Sequence, residues 1–281
     1  MIDSRGRVNE GFMETETKHA VIICDVLDCL KQIPDNSIQL IIADPPYNID
    51  IAEWDSYDNY IAWASQWIEE AYRVLSRTGN LVLFGGFQFE NAGRGDLFEL
   101  VHYIRTHTQL KLVNVIIWYY KNGISARRFF SNRHEEIMWF AKTKKYTFNL
   151  DDIRIKYDAA TLELYKRDKR LNPDNLDKGK NPTNVWEISR LNSNSLERVG
   201  HPTQKPYAII ERLVKGLSSE GDTVMDLFAG SAISTRVCIE TGRNSISCDK
   251  DSTTLEYANE QLERCINRNF IYLNDTMNFF K

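Results

Sequence analysis

Asp222-Thr223-Val224-Met225-Asp226-Leu227-Phe228-Ala229-Gly230-Ser231-Ala232 reads as a short apolar strand, a turn of small residues and the start of a helix. In open α/β sheets, ligands sit beyond the carboxyl ends of the strands, where a glycine turn lets backbone approach the ligand. A further strand, Asn244-Ser245-Ile246-Ser247-Cys248, ends at Asp249. An acid at that position is placed to bind a ribose hydroxyl.

Far upstream, the apolar run Ile38-Gln39-Leu40-Ile41-Ile42-Ala43 ends in Asp44-Pro45-Pro46-Tyr47. Two consecutive prolines make a stiff corner whose own backbone offers acceptors but no donors. A carboxylate, carbonyls and an aromatic face together suit a flat heterocycle bearing an amino group; a plain strand-ending turn is the alternative. A third segment, His201-Pro202-Thr203-Gln204-Lys205-Pro206, precedes the helix-like Tyr207–Leu217 and sets hydroxyl and ammonium donors near a helix start.

The rest of the chain alternates between strand and helix patterns. Ala20–Cys24 reads as a strand and Val26–Gln32 as a short helix. Tyr60–Leu75 carries Ile61, Ala64, Trp67, Ile68, Ala71 and Leu75 at helical spacing. Gly79 precedes a strand at Asn80–Phe84, and Leu97–Thr108 is a helix. Leu112–Tyr120 and Glu136–Ala141 are strands, and Ser252–Ile266 is a helix. The pattern predicts a mostly parallel, twisted sheet with helices on both faces. From Asp151 to Arg198 the chain is polar with little periodicity, which marks an inserted segment with its own purpose or a solvated loop.

The chain has 281 residues, 42% of them hydrophobic, enough for a globular core. Its net charge of −4 does not advertise nucleic acid, but DNA binding needs only a local basic surface. No apolar stretch approaches the roughly 18 residues of a membrane span. Met1–Lys18 mixes acids and bases and reads as a loose tail, not a secretory signal. Cys24, Cys29, Cys238, Cys248 and Cys265 show no metal-ligand spacing and read as reduced thiols of a cytoplasmic protein.

Taken together, D-P-P-Y-N, H-P-T-Q-K-P and D-L-F-A-G-S, in that order, resemble the amino-group DNA methyltransferases that use S-adenosylmethionine. The order is that of the permuted (β) group, with the catalytic motif first, target recognition in the middle and the cofactor motif last. The resemblance covers roughly residues 20–270 and implies a Rossmann-like methyltransferase fold of the α/β class. It divides the chain into a tail (1–18), a catalytic half (19–150), a target-recognition region (151–200) and a cofactor-binding half (201–281). Where the family usually continues G-S-G-T-T, this chain has Gly230-Ser231-Ala232-Ile233-Ser234. We expect Ala, the smallest substitute, to be tolerated there.

The resemblance implies that Asp44, Pro45, Pro46 and Tyr47 form the catalytic site. Asp44 and the Pro45 carbonyl would accept the amino hydrogens, and Tyr47 would stack on the base. It implies a cofactor site of Thr203 and Lys205 for the methionine carboxylate, Phe228, Gly230 and Ser231 along the ligand, and Asp249 for the ribose. Asp226 would order the motif turn. Asp25 would face the adenine of the cofactor; capping the next helix is its alternative role. No metal is implied. Double-stranded DNA, with the target base flipped out, would lie on Arg127, Arg128, Arg133, His134, Lys166, Arg167, Lys169 and Arg170, together with further basic residues and asparagines of 151–200. Trp54 is a second stacking candidate.

Adenine N6 methylation is the leading activity, within a restriction–modification or orphan system. Cytosine N4 methylation is the rival, and a DNA-binding subunit with a vestigial cofactor fold is the non-enzyme alternative. The implied setting is the cytoplasm, bacterial or phage-encoded, as monomer or homodimer, with a cognate restriction endonuclease as a compatible partner. Separately, Phe270–Phe280 echoes Ala20–Leu30 as strand, Asp and helical start, which would make Asp275 a competitor of Asp25 if it is more than chance.

Overall fold

The computed structural model describes residues 16–48, 57–87, 95–123, 125–265, 270–273 and 279–280. In chain order its elements are β1 (Thr17–Ile23), α1 (Val26–Leu30), β2 (Ile38–Ala43), α2 (Tyr60–Val74), β3 (Leu75–Gly85), α3 (Leu97–His107), β4 (Lys111–Tyr119) and β5 (His134–Ala141). They continue as α4 (Leu150–Ile153), α5 (Ala159–Lys166), α6 (Pro173–Lys178), β6 (Val185–Glu187), α7 (Tyr207–Leu217), β7 (Thr223–Asp226), α8 (Ile233–Glu240), β8 (Asn244–Asp249), α9 (Thr254–Glu263) and β9 (Phe270–Leu273).

The strands form one sheet in the order β6-β4-β5-β3-β2-β7-β8-β1-β9. Only β5 runs against its neighbours β3 and β4; the other pairings are parallel. The strand that ends at Asp44 therefore lies beside the strand that carries Asp226, although the two are far apart in sequence. On the far side of β7, β8 pairs with β1, whose Ile23 sits opposite Asp249. The carboxyl ends of β1, β2, β7 and β8 thus open on one edge of the sheet.

The two faces sort by strand alternation. Ile41, Ala43, Leu81, Leu83, Met138, Phe140 and Met225 pack under α1, α2 and α3. Leu40, Ile42, Val82, Phe84, Trp118, Ile137 and Val224 pack under α7 and α8. The helices follow from spacing and caps. In α2, the apolar positions Tyr60, Ala64, Trp67, Ile68, Ala71 and Val74 fall on one buried face, and the Asn59 side chain caps the start by accepting from Ala62 N–H. Fully buried Trp67 alone contributes about 3 kcal/mol of apolar burial.

Several boundaries differ from the sequence reading. β1 starts at Thr17, paired with Phe270, so Thr17 and Lys18 belong to the sheet and not to a tail. The β3 strand begins at Leu75, directly after α2, and runs through Gly79 past a register shift against Ile38–Leu40. A Cβ at Gly79 would lie 2.9 Å from the Ser76 carbonyl, so only glycine lets the chain pass that irregularity. β5 takes in His134, whose ring pairs with Glu136 at 2.9 Å, in place of an open loop residue. The 151–200 segment is more regular than its composition suggested. In it α5 and α6 are capped by Asp158 and Asn172, and β6 joins the sheet edge. Local caps and a sheet edge supply order that apolar periodicity does not announce. Trp54 and Asp275 lie outside the described residues.

Candidate active site

A cavity of about 400 Å³ opens at the carboxyl edge of β1, β2, β7 and β8. It brings together every residue expected at the catalytic and cofactor sites: Asp25, Asp44, Pro45, Pro46, Tyr47, Thr203, Lys205, Asp226, Phe228, Gly230, Ser231 and Asp249. Parallel neighbours explain the convergence of Asp25, Asp44, Asp226 and Asp249, each at or just past the same end of its strand, while Thr203 and Lys205 arrive on the loop before α7.

On the Asp44 side, the Tyr47 hydroxyl donates to Asp44 Oδ1 at 3.0 Å. Burial foremost, with the charges of Asp44 and Glu135, raises the Tyr47 phenol well above its ordinary range, so it stays a donor. The Pro46 carbonyl accepts from Tyr60 Oη at 2.7 Å, which pins the proline corner to α2. Asn48, buried and at φ 57°, holds the Tyr57 peptide through both its amide atoms at 2.8 and 3.2 Å. That places Tyr57 stacked on Trp63, ring centroids 4.2 Å apart, on the cavity wall. Trp63 in turn lies 5.9 Å from the Phe228 ring, giving a continuous aromatic surface.

On the other side, the turn after β7 is fastened to the sheet. Leu227 N–H donates to Ile42 O, and Ala229 N–H donates to Cys248 O. Gly230 N–H donates to Asp249 Oδ2 at 2.8 Å, while Asp251 N–H donates to Oδ1 at 2.9 Å. Each carboxylate oxygen can accept twice, so Asp249 retains capacity for a ligand hydroxyl. Phe228 N–H donates to Asp226 Oδ1 at 3.2 Å, in keeping with a turn-ordering role for that acid. Burial pushes Asp226 up to about 7. Asp25 caps α1 by accepting from Leu27 N–H at 2.9 Å and also lines the cavity.

The departure at Ala232 has a clear geometry. Ala232 adopts φ 55°, ψ 26°, the left-handed region that glycine enters freely. The alanine is fully buried and packs with Val21 and Ala258. The methyl packing offsets part of a backbone cost of about 1–2 kcal/mol.

Lys205 lines the same cavity but faces its Asp44 side. Its ammonium lies 2.9 Å from Asp44 Oδ2, 3.5 Å from Glu135 Oε2 and 3.4 Å from Tyr47 Oη. Burial alone would lower this ammonium; Asp44 and Glu135 outweigh it and hold it above its ordinary value. Thr203 remains exposed on the cavity rim. The motif around it is braced by Arg198, which donates to the carbonyls of His201 and Pro202, and by Gln204, which clamps residues 197–199.

Sequence reasoning missed Glu135, Trp118, Tyr57, Trp63, Arg190, Arg198 and His201 as cavity residues. His201 sits against Gly230, and burial lowers its ring below the ordinary imidazole range despite Asp44 and Asp249 nearby. Its place in H-P-T-Q-K-P was the one available signal; the others lie in ordinary strand, helix or loop contexts.

The remaining expected DNA-binding residues lie apart from this cavity. Arg170 is paired with Asp168 and Lys166 with Asp177, both on the surface of the 151–200 segment. Asn172 and Asn184 are occupied locally, the first as a helix cap and the second on the Val115 carbonyl. Arg127, Arg128 and Arg133 lie on the β4–β5 loop beside the exposed rings of Phe129 and Phe130, the latter 99% accessible.

The cavity lining suits S-adenosylmethionine. Asp25, Asp44, Glu135, Asp226, Asp249 and Asp251 surround a space that would take a sulfonium cation, with an aromatic wall for an adenine and an acid at the end of β8 for a ribose. A Cβ at Gly230 would fall 2.9 Å from the His201 ring, so the glycine keeps the turn close-packed there.

The DNA methylase family profile matches residues 38–260. The chain is 35% identical over 251 residues to the type II methyltransferase M.HpaI of Haemophilus parainfluenzae, covering 86% of this chain and 74% of that protein. It is 32% identical to the DNA adenine methyltransferase YhdJ of Escherichia coli (strain K12), covering 86% and 82%. Among solved structures, the cytosine-N4-specific PvuII DNA methyltransferase superposes with a TM-score of 0.65 at 18% identity, covering 93% and 97% of the two chains, which speaks for the fold alone. The strand order, the motif-lined cavity and these matches together establish that the chain belongs to the DNA methylase family.

Proposed function

We propose that this protein is a site-specific DNA methyltransferase that transfers a methyl group from S-adenosylmethionine to N6 of a flipped-out adenine in duplex DNA. The observation that carries the reading is the placement of Asp44. It stands at the end of β2 with Tyr47 on one oxygen and Lys205 on the other, across one cavity from the Gly230–Asp249 turn. Adenine rather than cytosine is favoured by the aspartate that opens the motif and by the kinship to an adenine methyltransferase.

When bound, S-adenosylmethionine would supply an electrophilic methyl group on a sulfonium sulfur, and the sulfur would leave with the electron pair of the broken sulfur–carbon bond. The chain's own residues make that attack possible. An exocyclic amino nitrogen is a weak nucleophile because its lone pair is delocalised into the ring. Asp44 and the Pro45 carbonyl accept its two hydrogens and turn the lone pair toward the methyl. Holding the reactants in line lowers the barrier by several kcal/mol. The Asp44 charge stabilises the cation that develops on nitrogen. The methylated nitrogen is acidic and loses its proton to Asp44 or water. Tyr47, which already packs against Gly86, offers the flipped base a ring face.

Base flipping costs a few kcal/mol and is offset by this stacking and hydrogen bonding. The 151–200 segment is the target-recognition region in this reading. Arg127, Arg128 and Arg133, with Lys166, Arg167, Lys169 and Arg170, meet phosphates. Phe129 and Phe130 are available to the DNA because nothing else covers them among the described residues. In a restriction–modification setting, the bacterial or phage cytoplasm is the location and a cognate endonuclease of the same sequence specificity is the partner. The protein acts there as a monomer or homodimer.

The test is expression in a methylation-free host followed by mapping of modified bases. N6-methyladenine confined to one sequence context is expected. N4-methylcytosine, or no modified base, refutes the proposal.

A further inference from the structure

We propose that Glu135 is a positioning residue for the amino-methylation assigned above: by engaging the Lys205 ammonium it leaves the Asp44 cluster with net negative charge beside the reacting nitrogen. The inference rests on the reading of Asp44 as the acceptor of the amino group.

Lys205 poses a problem for that reading. Its ammonium belongs to a residue only 8% exposed and lies 2.9 Å from the carboxylate that is to stabilise a developing cation. Asp44 and Lys205 alone make a neutral pair, whose field at the nitrogen is weak. Glu135 is the second residue of β5, opposite Trp118 of β4, and both line the cavity. Its Oε2 is inaccessible to solvent and, without a hydrogen bond of good geometry, faces Lys205 at 3.5 Å. One ammonium shared by two carboxylates leaves a formal charge of −1, close to the nitrogen and shielded from water, where charges act strongly.

The arrangement also orients Asp44. Tyr47 donates to Oδ1 and the Lys205 ammonium pairs with Oδ2 at 2.9 Å, so the carboxylate plane is set before the base arrives. Glu135 gives the ammonium a second carboxylate at 3.5 Å, so Asp44 does not hold it alone. Neighbouring charges do not duplicate the role. Glu136, on the other face of β5, is engaged by His134, and Arg190 packs over Tyr120.

The experiment is a double-mutant cycle on the full chain. Single-turnover transfer of radiolabelled methyl to DNA, cofactor affinity and folding by circular dichroism are measured for wild type, Glu135→Gln, Lys205→Met and the double variant. Glu135→Gln should slow transfer by about ten- to a hundred-fold, below the ~10²–10³ typical of a donor that touches the reacting atoms directly. Cofactor affinity should stay within about two-fold. In the Lys205→Met background the same change should cause no loss or a gain, because Glu135 is then an uncompensated carboxylate competing with Asp44 for charge.

Equal losses in both backgrounds would mean a merely structural role and overturn the inference, as would full activity of Glu135→Gln. Glu135→Asp, which keeps the charge, guards against a folding failure: activity within about three-fold of wild type is expected, and a loss as deep as that of the glutamine variant overturns the inference. A wild type that methylates no amino group would sink the Asp44 reading itself, whereas an active wild type with an additive cycle sinks only the role of Glu135.

Discussion

The backbone N–H of Gly230 donates to Oδ2 of Asp249 over 2.8 Å, joining the turn after one central strand to the acid that ends its neighbour. Asp249 therefore shapes the cofactor turn as well as facing the cavity. Asp249→Ala should raise the S-adenosylmethionine dissociation constant at least ten-fold, since it removes a ligand acceptor and frees the turn. Isothermal titration checks this, and an unchanged constant removes the ribose assignment.

Asp44→Ala should abolish methylation while cofactor affinity changes by no more than about three-fold. Its oxygens are engaged by Tyr47 and Lys205, away from the Gly230 turn. Near-normal turnover in a methyl-transfer assay would contradict the assigned role.

Gly230→Ala places a methyl 2.9 Å from the His201 ring at φ 46°. We expect loss of cofactor binding and a melting temperature lowered by several degrees, consistent with an overpacking cost of about 1–3 kcal/mol. Ala232→Gly should be nearly silent, because relief of left-handed strain offsets the removal of a methyl packed against Val21 and Ala258. Thermal melts of the two variants side by side decide the matter.

Asp226 gives a pH dependence of stability. Burial raises its folded value from 3.8 to about 7, so between these values the folded state holds a proton that the unfolded state has released. Stability from this group is full below pH 4 and declines as pH rises toward 7, by roughly 1.4 kcal/mol per unit at most. Asp226→Asn removes the titration. Its stability relative to wild type should climb between pH 4 and 7 in urea unfolding; a constant difference would mean that Asp226 is charged throughout.

Neutralising Lys166, Arg167, Lys169 and Arg170 together should weaken DNA binding. It should also flatten the salt dependence by about 0.9 in log–log slope for each phosphate that the variant no longer neutralises. Arg170 and Lys166 are held by Asp168 and Asp177 on the surface, so the change in slope should fall short of that for four phosphates. Phe130→Ala should leave the slope unchanged. Fluorescence anisotropy across a salt series measures both.

The order of motifs made the methylase reading available from the chain alone, because Asp44, Asp226 and Asp249 each follow an apolar strand and a glycine turn follows Phe228. Helix spacing likewise placed α2, and α7 matches Tyr207–Leu217 to the residue. Such features are local: a strand, a turn or a cap is written in a few consecutive side chains.

Pairing across the sheet is not local. Nothing near Lys205 in sequence says whether its ammonium turns to a cofactor or to Asp44, because that depends on β5 delivering Glu135 to the same face. Glu135 itself reads as one of two glutamates at the start of a strand; only the antiparallel register with Trp118 turns it inward and leaves Glu136 with His134. The chain by itself determined the family, and which strands end at Asp44, Asp226 and Asp249. The tertiary structure decided how their charges are shared, since electrostatic partners are chosen by distance in space and burial, and neither is encoded within a single motif.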